Sequence, residues 1–360
     1  MRLRGKRGVL GLALLLTGSL VLSACGGGGG GTGSGGSGGQ GDSGAEASKV
    51  QVGLVYDVGG RGDQSFNDMA YAGLEKAKQE FGDKVEVKDA EPDTGGQNRE
   101  DLLRTFAEQG YGLVIGVGFL FTDAMATVAK EYPDVKFAII DSCPEEQLDN
   151  LACLTFKEHE GSFLVGAAAA LKTKTGKIGF VGGMKTPLIE RFEAGYRAGA
   201  KYINPDVQVV ADYAGTTGDA FNNPTKGREL ALAQIQQGAD VIYHAAGGTG
   251  RGVFQAVQEQ GKLAIGVDAD QSLTAPDYAG VILTSMVKHV DVAVYDVIRS
   301  VVEGNFQAGL HQYGLKEGGV GYAVNDKNKA MIEDIVPQLD EIKEKIISGE
   351  IQVPESPSDV

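Results

Sequence analysis

The sequence predicts two consecutive doubly wound α/β lobes, each a mostly parallel sheet with helices on both faces. Three observations carry this prediction. Short apolar runs alternate with segments of helical period along most of the chain. The alternation starts afresh near residue 177, giving two sets of similar length. The chain has 360 residues and is 42 % hydrophobic, enough for two domains with full cores.

The first set opens with an apolar strand at 52–55, followed by a turn in which Gly59, Gly60 and Gly62 let the backbone reverse. Ser65 and Asp68 have the spacing of a helix-capping box. Phe66, Met69, Ala70, Gly73, Leu74, Ala77 and Phe81 then recur at helical spacing. Strands follow at 85–88, 112–118 and 136–141, with helices at 97–109 and 122–130. The stretch 163–171 is apolar almost all round and predicts a buried helix.

The second set places strands at 177–181, 207–213, 239–243, 263–267 and 281–285. Helices are predicted at 188–202, 226–237, 253–260 and 290–302, with an amphipathic tail helix at 327–348. The divide between lobes is expected near Thr173-Lys174-Thr175. The first lobe would then comprise 50–173 plus a return helix at about 287–304. The second would comprise 174–286 plus the tail at about 305–350, with each crossing a hinge strand.

Ahead of both sets lies a targeting segment. Arg2, Arg4, Lys6 and Arg7 precede an apolar run at 9–22, about 14 residues, too short to span a bilayer as a helix. Leu22-Ser23-Ala24-Cys25 resembles the lipobox of bacterial lipoproteins, in which a signal peptide is removed before a cysteine that carries diacylglycerol. Residues 1–24 are thus expected to be a signal peptide, with Cys25 the lipidated start of the mature chain. Of residues 26–44, 13 of 19 are glycine, so 25–49 is expected to be a flexible tether. Its typical reach is about 25–30 Å. The expected location is the extracytoplasmic face of the cell membrane, held by lipid.

Removing the leader takes away four basic residues and moves the formal net charge from −15 to −19. That argues against nucleic acid and against extended anionic substrates as partners. Cys143 and Cys153 bracket a polar loop; in an exported protein one loop-closing disulfide is expected, the alternative being two separate buried thiols.

In open α/β sheets ligands bind beyond the carboxyl ends of strands. Asp57, Asp141, Tyr243 and Asp268 each stand where a predicted strand ends. Gly247 to Gly252 looks like a phosphate-cradling loop but lacks the Gly-Lys-Ser/Thr ending. His159, His244, His289 and His311 have no paired metal spacing, and neither metal nor cofactor is expected.

Several long stretches carry a family resemblance: VYDVGGRGDQSFNDMAYAGL, YPDVKFAIID, EGSFLVGAAAALKTKTGKIGFVGGM, PLIERFEAGYRAGAKYINPD, NPTKGRELA, GADVIYHAAGGTGRGVFQA and AIGVDADQ. The chain strongly resembles the basic membrane protein family of lipoproteins, which includes purine nucleoside receptors. The resemblance implies the two-lobed fold of periplasmic binding proteins of the first structural class. It also implies a non-enzymatic solute receptor that serves an ABC permease and ATPase in trans.

Carried over by motif, Phe66 is one ring stacking on the base. Tyr243 is the expected second ring, with Phe221 its competitor. Asp57 and Asn67 would face the base edge, Asp141 would close the first lobe's contribution, and Gly248 would present backbone to the sugar. Asp268 and Lys288 would face the ribose hydroxyls. Three carboxylates suit an uncharged ligand with many donors and repel phosphate, so nucleosides are expected over nucleotides. The alternatives are a receptor for a sugar or small polyol, an α/β enzyme acting on nucleosides, and a surface sensor. A sugar site would keep one stacking ring and add polar groups.

Overall fold

The computed structural model describes residues 49–360. The expected signal peptide, Cys25 and the tether up to residue 48 lie outside the described residues. The first sheet is built from β1 (Val50–Val55), β2 (Val85–Ala90), β3 (Leu113–Gly116), β4 (Lys136–Ile140) and β5 (Leu151–Phe156), with helices α1 (Phe66–Phe81), α2 (Arg99–Glu108) and α3 (Thr122–Glu131) between them. Helix α4 (Glu158–Lys172) leads into the second sheet: β6 (Lys177–Met184), α5 (Pro187–Ile203), β7 (Gln208–Gly215), α6 (Pro224–Gln236), β8 (Val241–Ala245), α7 (Gly250–Glu259), β9 (Leu263–Asp268), the short α8 (Gln271–Thr274) and β10 (Ile282–Lys288). The chain ends with α9 (Val290–Val302), β11 (Gly309–Tyr313), β12 (Val320–Tyr322), α10 (Lys329–Ile332) and α11 (Val336–Ile347).

The sheets run β11-β5-β4-β3-β1-β2 and β12-β10-β9-β8-β6-β7, so both have the same doubly wound order. Every pairing is parallel except that of β12 with β10, and most core strands are buried on both faces, as parallel strands flanked by helices must be. In each sheet the order reverses between the first strand and the third: β1 and β3 in one lobe, β6 and β8 in the other. Among the described residues, no helix is long and apolar enough to cross a membrane.

Three features differ from the sequence expectation. First, β5, β11 and β12 were not legible. β11 and β12 are short, five and three residues, and β11 is fixed by pairing with β5, far back in the chain. Second, the lobes do not divide at Thr173. Helix α4 already packs on α5, β10 and β12, so the first crossing falls at Lys157, between β5 and α4. A Cβ at Gly166, Gly195 or Gly199 would lie 2.1, 2.1 or 1.9 Å from a facing backbone carbonyl, which is why α4 and α5 meet through small residues. The chain returns with α9, which packs on α1, and β11 pairs with β5, so part of the expected second-lobe tail belongs to the first lobe.

Third, Ser65 does not cap α1 with its side chain. Asp63 does that work: its carboxylate accepts from the backbone N–H groups of Ser65 (2.9 Å), Asn67 (2.9 Å) and Asp68 (3.2 Å). The Ser65 hydroxyl is thereby free and donates to Asp268 Oδ2 of the other lobe at 2.6 Å. Cys143 and Cys153 are joined by a disulfide, with Cα atoms 5.2 Å apart, tying the loop after β4 to β5.

Candidate functional site

The two points of strand-order reversal face each other across a cavity lined by residues of both lobes. From the first lobe, Asp57 follows β1, Phe119 follows β3 and Asp141 follows β4. From the second, Ala246 and Gly247 follow β8, and Asp268 ends β9. Asp141 and Asp268 occupy equivalent strand ends and share an uncommon left-handed backbone, φ 65° and 62°. Such conformations persist where surrounding structure holds them, and both here turn a carboxylate toward one lysine.

That lysine is Lys288, the last residue of β10, only 2 % exposed. Its Nζ donates to Asp141 Oδ2 at 2.6 Å and lies 3.5 Å from Asp268 Oδ1. Burial acts to lower its pKa, but Asp141, Asp268 and Glu158 outweigh that and hold the ammonium above its usual range. Its Nζ also sits 4.5 Å from the centre of the Phe66 ring. Asp268 is shifted upward by burial, against the pull of Lys288 and Ser65. Asp141 Oδ1 is buried without a partner, leaving an acceptor for a donor in the cavity.

Asp57 Oδ1 accepts from Val58 N at 2.8 Å and lies 3.7 Å from Arg99 Nη2. Burial pushes its carboxyl up to about 6 despite those two stabilising contacts. A Cβ on Gly118 would fall 2.2 Å from Asp57 Oδ2, so that glycine makes room for the carboxylate. Asn67 lines the cavity, but its amide is already engaged. Its Oδ1 accepts from Asp57 N at 2.9 Å and its Nδ2 donates to Asp63 Oδ2 at 3.1 Å. Its evident role is to staple the end of β1 to the start of α1.

Four phenylalanines line the cavity: Phe66 and Phe119 from the first lobe, Phe192 and Phe221 from the second. Phe119 and Phe221 meet edge to face at 6.1 Å. Tyr243, the expected second ring, is not among the lining residues. It is fully buried, its hydroxyl within 3.2 Å of Ser162 Oγ and its ring against Phe180 and Tyr196. The reason is that β8 continues two residues beyond it to Ala245, so Tyr243 lies on a sheet face covered by α4. Phe221, the competitor, takes the cavity position, its ring laid where a Cβ of Gly183 would be. Likewise Gly247 and not Gly248 lines the cavity; Gly248 is buried beneath Phe221 O and Asn222.

The strand-end rule would have found Phe119, which directly follows the predicted strand at 112–118 and lies three residues beyond β3. Asp63, Leu188, Ile189 and Phe192 also line the cavity, and they had no comparable signal because they reach it from a turn and from the first turns of α5. His244 is fully buried against Phe254, and burial lowers it to about 4. Among the described residues, no group of His, Cys, Asp or Glu has the arrangement of a metal site.

A family model described as "ABC transporter substrate-binding protein PnrA-like" matches residues 49–357. An uncharacterized lipoprotein of Pyrococcus abyssi is 39 % identical over 95 % of this chain and 91 % of its own. The ABC transporter nucleoside-binding protein BmpA of Lactococcus lactis is 36 % identical over 86 % of this chain and 91 % of its own. The crystal structure of an ABC transporter solute-binding protein from Aeropyrum pernix superposes with a TM-score of 0.75 at 36 % identity, covering 86 % of this chain and 95 % of that one.

Proposed function

The chain belongs to the family of PnrA-like ABC transporter substrate-binding proteins, and on that premise we propose that it captures a purine nucleoside between its lobes. The family is one of binding proteins rather than enzymes, so its partners are a small-molecule ligand and the permease and ATPase subunits of an importer. The observation that carries the nucleoside reading is the composition of the cavity: phenylalanines from both lobes beside four buried carboxylates and one buried lysine.

In this reading Phe66 and Phe221 hold the base, each stacking contact worth about 1–3 kcal/mol. Asp57, positioned by Asn67, accepts from N–H groups on the base edge. Asp268 and the free oxygen of Asp141 accept from ribose hydroxyls, and Lys288 donates to a ribose oxygen. The backbone at Gly247 borders the sugar. An uncharged ligand rich in donors suits this set, whereas a phosphate would face uncompensated carboxylates. A relative named as nucleoside-binding supports the same ligand class. A sugar site would not need apolar rings on both walls.

Lobe closure about the crossings at Lys157, His289 and Gly314 brings the two half-sites together, and the permease reads the closed form. The LSAC sequence ending at Cys25 and a relative named as a lipoprotein support a lipid anchor on the extracytoplasmic face. The test is a thermal-shift panel of nucleosides, nucleobases and sugars on the folded protein. Guanosine, inosine or adenosine at 100 times its dissociation constant should stabilise the fold by about 2.7 kcal/mol. A shift with a sugar and none with any nucleoside overturns the ligand assignment.

A further inference from the structure

The closed lobes are also joined by contacts that involve no ligand. Gln64 stands in the turn before α1 with φ 59°, the left-handed region. Its backbone is held there by Asp68, which accepts from Gln64 N at 2.9 Å and from Gly62 N at 2.8 Å. The Gln64 carbonyl accepts two hydrogen bonds from the other lobe, from Gln271 Nε2 at 3.1 Å and Thr274 Oγ1 at 2.9 Å.

Gln271 has no freedom to point elsewhere. It is fully buried, its Oε1 accepts from Val267 N at 2.8 Å, and its own N donates to Ser285 Oγ at 3.0 Å. The amide is therefore oriented with its NH₂ facing the first lobe before any contact is made. The next residue of the turn, Ser65, donates to Asp268 Oδ2. One turn of the first lobe thus grips both the short helix α8 and a carboxylate of the cavity.

We propose that Gln271 and Thr274 are positioning residues of a ligand-independent latch, acting through Gln64 and Ser65 to hold Asp268 in place and keep the lobes shut. The bonds to the Gln64 carbonyl and from the Ser65 hydroxyl cross between the lobes, so they are lost when the lobes part. When the lobes part, water satisfies the same groups, so each bond shifts the closed-to-open ratio by only about 2- to 10-fold. The latch sets how much ligand-free protein is closed and how slowly bound ligand escapes. Its role in escape rests on the nucleoside reading; its role in the ligand-free protein does not.

The test uses Thr274→Val, which removes one hydroxyl at an exposed position, with Thr274→Ser as the conservative rescue. Gln64→Gly is a further control, since glycine accepts the same φ and keeps the carbonyl. The closed-to-open ratio of ligand-free protein is read by single-molecule FRET between dyes on the two lobes, and guanosine release by stopped flow. Thr274→Val should lower the ligand-free ratio about 2- to 10-fold and raise the dissociation rate by a similar factor, without slowing association. Thr274→Ser and Gln64→Gly should both match the parent. A ligand-free ratio unchanged in Thr274→Val overturns the latch. If the parent binds none of guanosine, inosine and adenosine, the nucleoside reading falls, and the ligand-free measurement still decides the latch.

Discussion

The Lys288 ammonium donates to the Asp141 carboxylate at 2.6 Å, and this bond joins the end of a second-lobe strand to the end of a first-lobe strand. Asp268 lies on the lysine's other side at 3.5 Å, so one cation serves two buried acids. Removing one member of such a set leaves uncompensated charge, which costs about 3–5 kcal/mol.

Lys288→Met should therefore lose nucleoside binding and stability together. Asp268, already shifted upward by burial, would lose the cation that opposes that shift and be driven further toward protonation. Stability from that source is present at low pH and lost as pH rises, so the variant should melt closer to the parent at pH 5 than at pH 8. Adding Asp141→Asn should recover part of the loss at pH 8. Thermal melts at the two pH values check both outcomes.

The rings give a contrast. Phe66→Ala and Phe221→Ala should each weaken nucleoside binding about 5- to 150-fold, the value of one stacking contact. Tyr243→Phe removes a hydroxyl paired with Ser162 outside the cavity. It should cost about 0.5–1.5 kcal/mol of stability and leave affinity within about twofold. Titration calorimetry beside thermal melts separates the two effects; equal affinity losses at Tyr243 and Phe221 would contradict the assignment.

Asp57 makes binding pH-dependent. With burial pushing its carboxyl up to about 6, about a tenth is ionised at pH 5 and most at pH 7. If the ligand donates to the ionised form, affinity should rise about tenfold from pH 5 to pH 7, and Asp57→Asn should flatten that rise. Ligand-free stability runs the other way. A carboxyl raised from 3.8 to about 6 contributes stability that is full below pH 4 and lost as pH passes 6. Asp63, also pushed up to about 6 by burial, adds to that stability trend and should keep it visible in Asp57→Asn.

Two glycines hold space for the site. A Cβ on Gly118 would meet Asp57 Oδ2 at 2.2 Å, and one on Gly183 would meet the Phe221 ring at 2.2 Å. Gly118→Ala and Gly183→Ala should each weaken binding at least about tenfold by displacing a single contact. Gly62→Ala faces open space at φ 86° and serves as control. It should cost about 1–2 kcal/mol of stability with affinity unchanged.

The acidic half of the site was legible because its residues end strands. Asp57, Asp141 and Asp268 follow apolar runs whose length is readable, and the crevice beyond strand ends is a property of the fold class. Tyr243 was misplaced because β8 runs two residues longer than its apolar run suggests, and a shift of that size moves a side chain from the strand's end into its buried face. The lobe boundary was hidden because α4 is buried on nearly every side, and a helix without a polar face does not announce which sheet it covers. Strand β11 was silent because its partner, β5, lies far back in the sequence, and β12 because it is only three residues long.

Those two late strands carry a consequence for biogenesis. Each lobe receives an outermost strand from residues 309–322, near the carboxyl end. A chain lacking those residues therefore holds two unfinished sheets, each missing its last strand. Resistance to protease should appear in both halves together, in carboxyl-terminal truncations only once they retain Tyr322.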